Sequence, residues 1–238
     1  MPRKHLIAAQ INSKQQNRAK LLQKLSKEIK AAAKEGTNPN INPRLKLAIE
    51  KALKNNLSQE SINKNIYGNQ KNEAFLVHYE YEVFAPEKLK IIISALTDNA
   101  NRTIANLNSY LTKINGQITK QNAVKIYFKN LGIICIANTK NNQIITENDL
   151  INDLIDYPIE NVIFDHDNIE IETIADQFYL VKTQLEKNDY QILAAEKRWV
   201  ADDLINVSKE LAQKLTRFFE QLDQDDDIQD VYSNWIEQ

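Results

Sequence analysis

The order of hydrophobic patterns between residues 131 and 197 constrains the fold more than any other feature of this chain. "LGIICIA" is an apolar run of strand length. "TENDLINDLID" has helical spacing, and Thr146 and Asp149 stand where a capping box would start the helix. "ENVIFD" and "NIEIET" flank "DHDN" as a hairpin flanks its turn, and Ile169, Ile171 and Thr173 alternate as a half-buried strand does. "ADQFYLVKTQLEKN" is helical, with Ile174, Phe178, Val181 and Leu185 inward, and "YQILAAE" closes the series as a strand. The order is βαββαβ, the ferredoxin-like pattern, in one continuous stretch.

The rest of the chain is arranged around this block. In "AKLLQKLSKEIKAAAKEG", Leu21, Leu25, Ile29 and Ala32 share one helix face, while Lys20, Lys24, Lys27 and Lys34 share the opposite one. A second helix follows Asn42 and Pro43, a capping residue and a first-turn proline. Leu45, Ile49 and Leu53 form its apolar stripe; Arg44, Lys51 and Lys54 point away. A third begins at Ser58, turns Ile62 and Ile66 inward and ends at Gly68. "GNQKNEA" reads as a linker. "AFLVHYEYEVF" and "LKIIISALT" are strands around the turn "APEK"; a helix over about residues 100–114 and a strand "AVKIYFKN" follow. The segment after the block supplies a helix at about 204–222 (Val207, Leu211, Leu215, Phe218, Leu222) and the tail "DDDIQDVYSNW". The expected fold is α+β with three domains. Residues 1–72 are a basic three-helix domain; 73–130 and 204–238 form a discontinuous α/β middle domain; 131–203 are an inserted ferredoxin-like α/β domain.

The near-neutral net charge of −2 conceals a division along the chain. Residues 1–72 carry 15 lysines and arginines against four glutamates, and residues 73–238 carry 15 basic residues against 28 acidic ones. Such asymmetry suits a basic module for a polyanion joined to a part kept off it. Phosphate contacts are expected from Arg3, Lys4, Lys14, Arg18, Lys20, Lys24, Lys27, Arg44, Lys51 and Lys54; the bland alternative is a solvated helix face. No pair of helices reads as helix-turn-helix, so base reading does not follow from the pattern. Cys135 is the sole cysteine and lies in an apolar run, which excludes an intramolecular disulfide and a cysteine-based zinc cluster and suits an inert thiol. His5, His78 and His166 lack ligand spacing. There is no phosphate-binding glycine loop and no nucleophile elbow, so neither an enzyme nor a cofactor is expected. No apolar run approaches a membrane span or a secretory signal. The expected location is the cytoplasm, and an acid-free N-terminus up to Glu28 also leaves room for a mitochondrial transit peptide.

Two polar clusters stand out. "LTDNANRTIANLNSYL" packs Asp98, Asn99, Asn101 and Arg102 into a strand-to-helix junction that needs one capping residue. A cation in the first helical turn opposes the helix dipole, so Arg102 requires an anion: an internal carboxylate such as Asp98, or a bound phosphate. Asp98 or Asn99 is expected to cap, with Asn101 and Arg102 facing a ligand groove. Asp223, Asp225, Asp226 and Asp227 invite a metal reading but lack the glycine and ligand spacing of a calcium loop; a solvated turn fits better.

"NPRLKLAIEKALKNNLSQESINKNI", "LTDNANRTIANLNSYLTKINGQI" and "DDDIQDVYSN" together resemble the YebC/PmpR family, which includes the mitochondrial translational activator of cytochrome oxidase. The resemblance runs nearly the whole length. It implies a basic helical N-terminal domain, two α/β domains and a C-terminal segment that returns to the middle one. It also implies a non-enzymatic regulator of gene expression: a DNA-binding transcriptional regulator, or a ribosome-associated factor on ribosomal RNA or tRNA that assists translation of difficult, proline-rich sequences. A protein-interaction scaffold is the reading from another class. Asn99, Asn101 and Arg102 match the family motif, with Ala100 where the family carries an arginine. The family's glycine-rich loop after the first strand is here "YEVFAPEKL", which keeps only Pro86.

Overall fold

The computed structural model describes residues 18–68, 75–141 and 143–236. The chain divides into two compact units, residues 1–126 with 203–238, and residues 127–202. The helical segment thus shares a unit with the first sheet, where the sequence pattern separates them.

In the first unit, helices α1 (Arg18–Lys34), α2 (Pro43–Lys54) and α3 (Gln59–Tyr67) pack around Ile29, Leu45 and Ile62, all fully buried. Asn42 caps α2 by accepting from Leu45 N at 3.0 Å, and its amide donates to the carbonyls of Ala32 and Gly36, both at 2.8 Å, which ties the end of α1 to the start of α2. Buried positions along α2 are Leu45, Ala48 and Ala52. Leu53, expected in the stripe, is exposed, because the small alanines let α1 approach that face more closely than leucine would. Ser58 caps α3 through Ser61 N. Gly68 ends it where an added Cβ would strike the carbonyl of Lys64.

The sheet of this unit contains β1 (Val77–Ala85), β2 (Leu89–Thr97), β3 (Gln117–Ile118) and β10 (Ile228–Ser233) in the order β10-β2-β1-β3. All three pairings are antiparallel. Helices α4 (Ala100–Leu111) and α7 (Lys209–Gln224) cover one face, where Leu107, Leu111, Leu215, Phe218 and Leu222 meet Val83, Ile91 and Ile93. The expected strand "AVKIYFKN" is not part of this sheet. The buried Glu82 carboxylate accepts from Asn122 N and Val124 N at 2.6 Å and from Lys125 N at 3.0 Å. Those bonds hold residues 122–125 as a loop, and a strand begins only at Phe128.

The β1–β2 turn explains how the chain manages without the glycines of the family loop. Glu87 and Lys88 both adopt left-handed backbone, φ 60° and 65°, the two-residue conformation for which Asn-Gly is usual. The Glu87 carboxylate accepts from the Ser208 amide (2.7 Å) and hydroxyl (2.6 Å). These bonds hold the carboxyl below its ordinary range and tie the turn to the start of α7. Left-handed backbone still disfavours a side chain at Lys88, which is exposed. Lys88→Gly is therefore expected to raise stability by about 0.5–1 kcal/mol, seen as a higher Tm in thermal unfolding.

The second unit holds β4 (Phe128–Ala137), the hairpin of β5 (Thr139–Lys140) and β6 (Gln143–Ile144), α5 (Glu147–Leu154), β7 (Ile159–Phe164), β8 (Asn168–Ile174), α6 (Phe178–Lys187) and β9 (Ile192–Ala201). Its sheet runs β7-β8-β4-β9, antiparallel throughout. With the two helices this is the ferredoxin-like βαββαβ arrangement read from the sequence. "FKN" and "LGIICIA" belong to one strand, and the compact unit starts at 127. The Thr146–Asp149 capping box is formed. Ile169, Ile171 and Thr173 are fully buried, whereas Ile174 ends β8 and is exposed. Gly132 is required on β4: a Cβ there would lie 2.5–3.0 Å from three atoms of Phe178 on α6. Cys135 is half-buried, and burial, with Glu170 nearby, pushes its thiol up to about 11. At neutral pH the thiol is held in its protonated, unreactive form, so iodoacetamide is expected to label native Cys135 far more slowly than the unfolded chain, read by mass spectrometry.

No helix among the described residues is long and apolar enough to cross a membrane.

Candidate nucleic-acid interface

The junction after β2 is built around Asn99. Its side chain accepts from Arg102 N at 3.1 Å and caps α4, while its own amide donates to Thr97 Oγ1 at 3.0 Å. Asp98 is thereby freed for Arg102. The Arg102 guanidinium donates to Asp98 Oδ1 at 2.7 Å and to Asp227 Oδ2 at 2.8 Å. The anion that a first-turn arginine requires is thus supplied internally, by Asp98 as expected and also by Asp227 in the turn between α7 and β10. Bonds to Asp227 and then Asp98 raise the arginine's pKa further. Its side chain is still half exposed, and Asn101 beside it is exposed.

Asp227 is a hub. It also accepts from Thr103 Oγ1 at 3.1 Å and from Lys27 Nζ at 3.3 Å. Burial pushes its carboxyl up, but the bonds from Arg102, Lys27 and Thr103 and the charge of Lys27 outweigh burial and hold it below the usual aspartate range. Asp225 turns inward as well. It accepts from Asp227 N at 2.9 Å, Asn106 Nδ2 at 3.3 Å and Tyr110 OH at 3.1 Å. Burial, then the Asp225 charge, raises the Tyr110 phenol. The acid run is therefore half a solvated turn and half a buried latch. Asp223 and Asp226 are exposed; Asp225 and Asp227 are buried. Among the described residues no group of His, Cys, Asp and Glu is arranged to hold a metal ion.

The basic face of α1 meets this turn. Lys27 Nζ donates to the Asp226 carbonyl at 2.8 Å; Lys20 donates to the Gln224 carbonyl and lies 4.0 Å from the Asp226 carboxylate; Lys24 lies 3.9 Å from Asp223. The last turn of α7 has no basic residue of its own, so α1 supplies the cations that a helix C-terminus favours. Lys20, Lys24 and Lys27 are thus engaged within the chain. Arg44 is held by Glu28 (2.9 Å) and Glu35; burial opposes its charge, and these acids more than restore it. Lys51 is half-buried and Lys54 exposed on α2. Arg18 opens α1, and Arg3, Lys4 and Lys14 lie outside the described residues.

What the sequence reading missed is that "TDNANRT", the lysine face and "DDDIQD" form one constellation. No local pattern signals it: Asp225 and Asp227 lie in a turn closed by Ile228 N on the Asp225 carbonyl, where strand alternation does not apply.

Comparison with known proteins extends the picture. The model of the TACO1/YebC protein N-terminal domain matches residues 2–72, and that of the TACO1/YebC second and third domain matches residues 76–235. A protein of Malacoplasma penetrans is 44% identical over 249 residues, covering 100% of this chain and 99% of its own. One of Mycoplasma pneumoniae is 41% identical over 98% of this chain and 99% of its own, and one of Pelagibacter ubique 35% over 91% and 89%. All three are named probable transcriptional regulatory proteins. The crystal structure of a conserved hypothetical protein from Aquifex aeolicus superposes with a TM-score of 0.75 at 31% identity, covering 92% of this chain and 90% of that one. Matched along both of its parts by the family models, and along 91–100% of its length by these relatives, the chain belongs to the TACO1/YebC family.

Proposed function

We propose that this protein is a non-enzymatic, nucleic-acid-binding regulator of gene expression that acts in the cytoplasm. In this reading it is a DNA-binding transcriptional regulator, and the basic helical segment makes the phosphate contacts. The observation that carries the reading is the charge division: 15 of the chain's 30 basic residues fall in the first 72 positions, against four of its 32 acids. Lysines on a helix face suit sequence-independent contact with a phosphate backbone, and the names of the relatives favour transcription. Asn101 and the exposed part of Arg102 border the same turn and would add backbone contacts.

A second reading, a translation factor on ribosomal RNA or tRNA, is favoured by residues 127–202, which carry 14 acids against six bases. Such a unit is repelled by a DNA duplex but not by the basic proteins of a ribosome. Crosslinking in cells followed by sequencing of the bound nucleic acid separates the readings. Promoter DNA is expected under the first and ribosomal RNA or tRNA under the second; no enrichment of either overturns both in favour of a scaffold that binds proteins.

A further inference from the structure

We infer that the turn between α7 and β10 is an internal mimic of the polyanion, and that nucleic acid engages α1 by displacing it. The inference rests on the proposed binding role of the basic segment and adds its regulation. Lys20, Lys24 and Lys27 repeat at four- and three-residue spacing along one face of α1, and every one of them meets an acceptor between residues 223 and 227. The acceptors are two main-chain carbonyls and three carboxylates, all oxygens that carry negative charge as phosphate oxygens do.

The outer and inner parts of this contact differ in strength. Asp223 and Asp226 are well exposed, and their lysine partners lie at 3.9 and 4.0 Å. At that length, and with the acid partner open to solvent, such pairs are weaker than the short buried bonds of Asp227 and more readily screened by salt. Asp227 is buried and bound to Arg102 and Thr103 on α4, so it stays with α4 when the lysines leave. The outer pairs are therefore the part a stronger polyanion can replace without dismantling the sheet. Exchange also has an ionic consequence. Phosphates that meet Lys20 and Lys24 release their counterions, but the uncovered Asp223 and Asp226 recruit cations in return. The wild-type protein should show a shallower salt dependence than its number of phosphate contacts implies.

The test uses the full chain and two fluorescent probes, a short DNA duplex and an RNA hairpin, titrated across a salt series. Asp223→Asn with Asp226→Asn is expected to tighten binding about threefold to tenfold and to steepen the log–log salt slope by about one to two, with Tm nearly unchanged. Lys20→Gln with Lys24→Gln should weaken binding. In the variant combining all four changes, the gain from the asparagines should vanish, because the lysines they would release are gone. A gain that persists without the lysines means general repulsion by the acids and overturns displacement. Unchanged affinity in the asparagine variant, with weakened binding in the glutamine variant, overturns the mimic and leaves the binding role standing. Lysine changes that leave affinity unaltered place binding elsewhere and overturn the mimic too. Absence of binding by every form overturns the binding role and the mimic with it. The more responsive probe identifies the polyanion.

Discussion

Asp227→Ala is expected to lower the stability of the protein by about 3 kcal/mol. The carboxylate is buried and accepts from three side chains on two helices: Arg102 and Thr103 on α4, and Lys27 on α1. Its removal leaves Thr103, itself fully buried, with only the Asn99 carbonyl at 3.1 Å, and leaves Arg102 with Asp98. Asp98→Ala, at the exposed end of the same arginine, should cost little. Chemical denaturation of the two variants measures the contrast; equal losses would mean that burial at 227 has no special weight. The acid limb gives a second check. The folded carboxyl of Asp227 sits below its unfolded value. Its stabilisation is therefore complete above about pH 4 and is lost as pH falls through the lower, folded value. The gap between wild type and Asp227→Ala should narrow over that range. Binding measured on folded Arg102→Ala separates the arginine's structural duty toward Asp227 from any contact with phosphate.

Glu82→Gln is expected to be comparably damaging, at about 2–4 kcal/mol. Glu82 is nearly inaccessible, and both carboxylate oxygens accept backbone N–H groups of residues 122–125. Glutamine keeps the size but replaces one acceptor with a donor, so at least one buried amide faces another donor. Hydrogen exchange gives the specific readout. Protection should collapse at Asn122, Val124 and Lys125 while persisting in β4 and β8, which belong to the other unit. Loss of protection throughout the chain would contradict a local clamp.

How much of this was legible depends on the range of the interactions concerned. The βαββαβ order, the Thr146–Asp149 box and the caps at Asn42 and Ser58 are local, and their signals lie within a few residues of what they control. The helix face of Lys20, Lys24 and Lys27 was equally legible, but its partner was not, because nothing near α1 in sequence names a turn some two hundred residues away. For the same reason Arg102 was only half answered by its own motif: Asp98 was legible as its anion, and Asp227, 125 positions away, was not. Glu82 shows the opposite failure. "AVKIYFKN" has the composition of a strand, and a single buried carboxylate on β1 overrides that propensity by capturing the amides a ladder would use. Leu53 was misplaced because alternation of large residues drew attention away from Ala48 and Ala52, whose small size makes the close helix contact possible.

The pairing of β10 with β2 has a consequence for how the protein is made. Ala95 and its partner Ile228 are 133 positions apart, which at about 5–20 residues per second is a delay on the order of ten seconds between the two leaving the ribosome. Residues 127–202, continuous and closed within themselves, can fold during that interval. The first sheet cannot: until the last strand arrives β2 has a bare edge, Arg102 lacks Asp227, and the lysines of α1 have no acidic turn to rest on. A nascent chain at that stage carries an uncovered cationic helix beside a polyanionic ribosome surface, and the emergence of residues 223–227 is what first offers that helix an alternative.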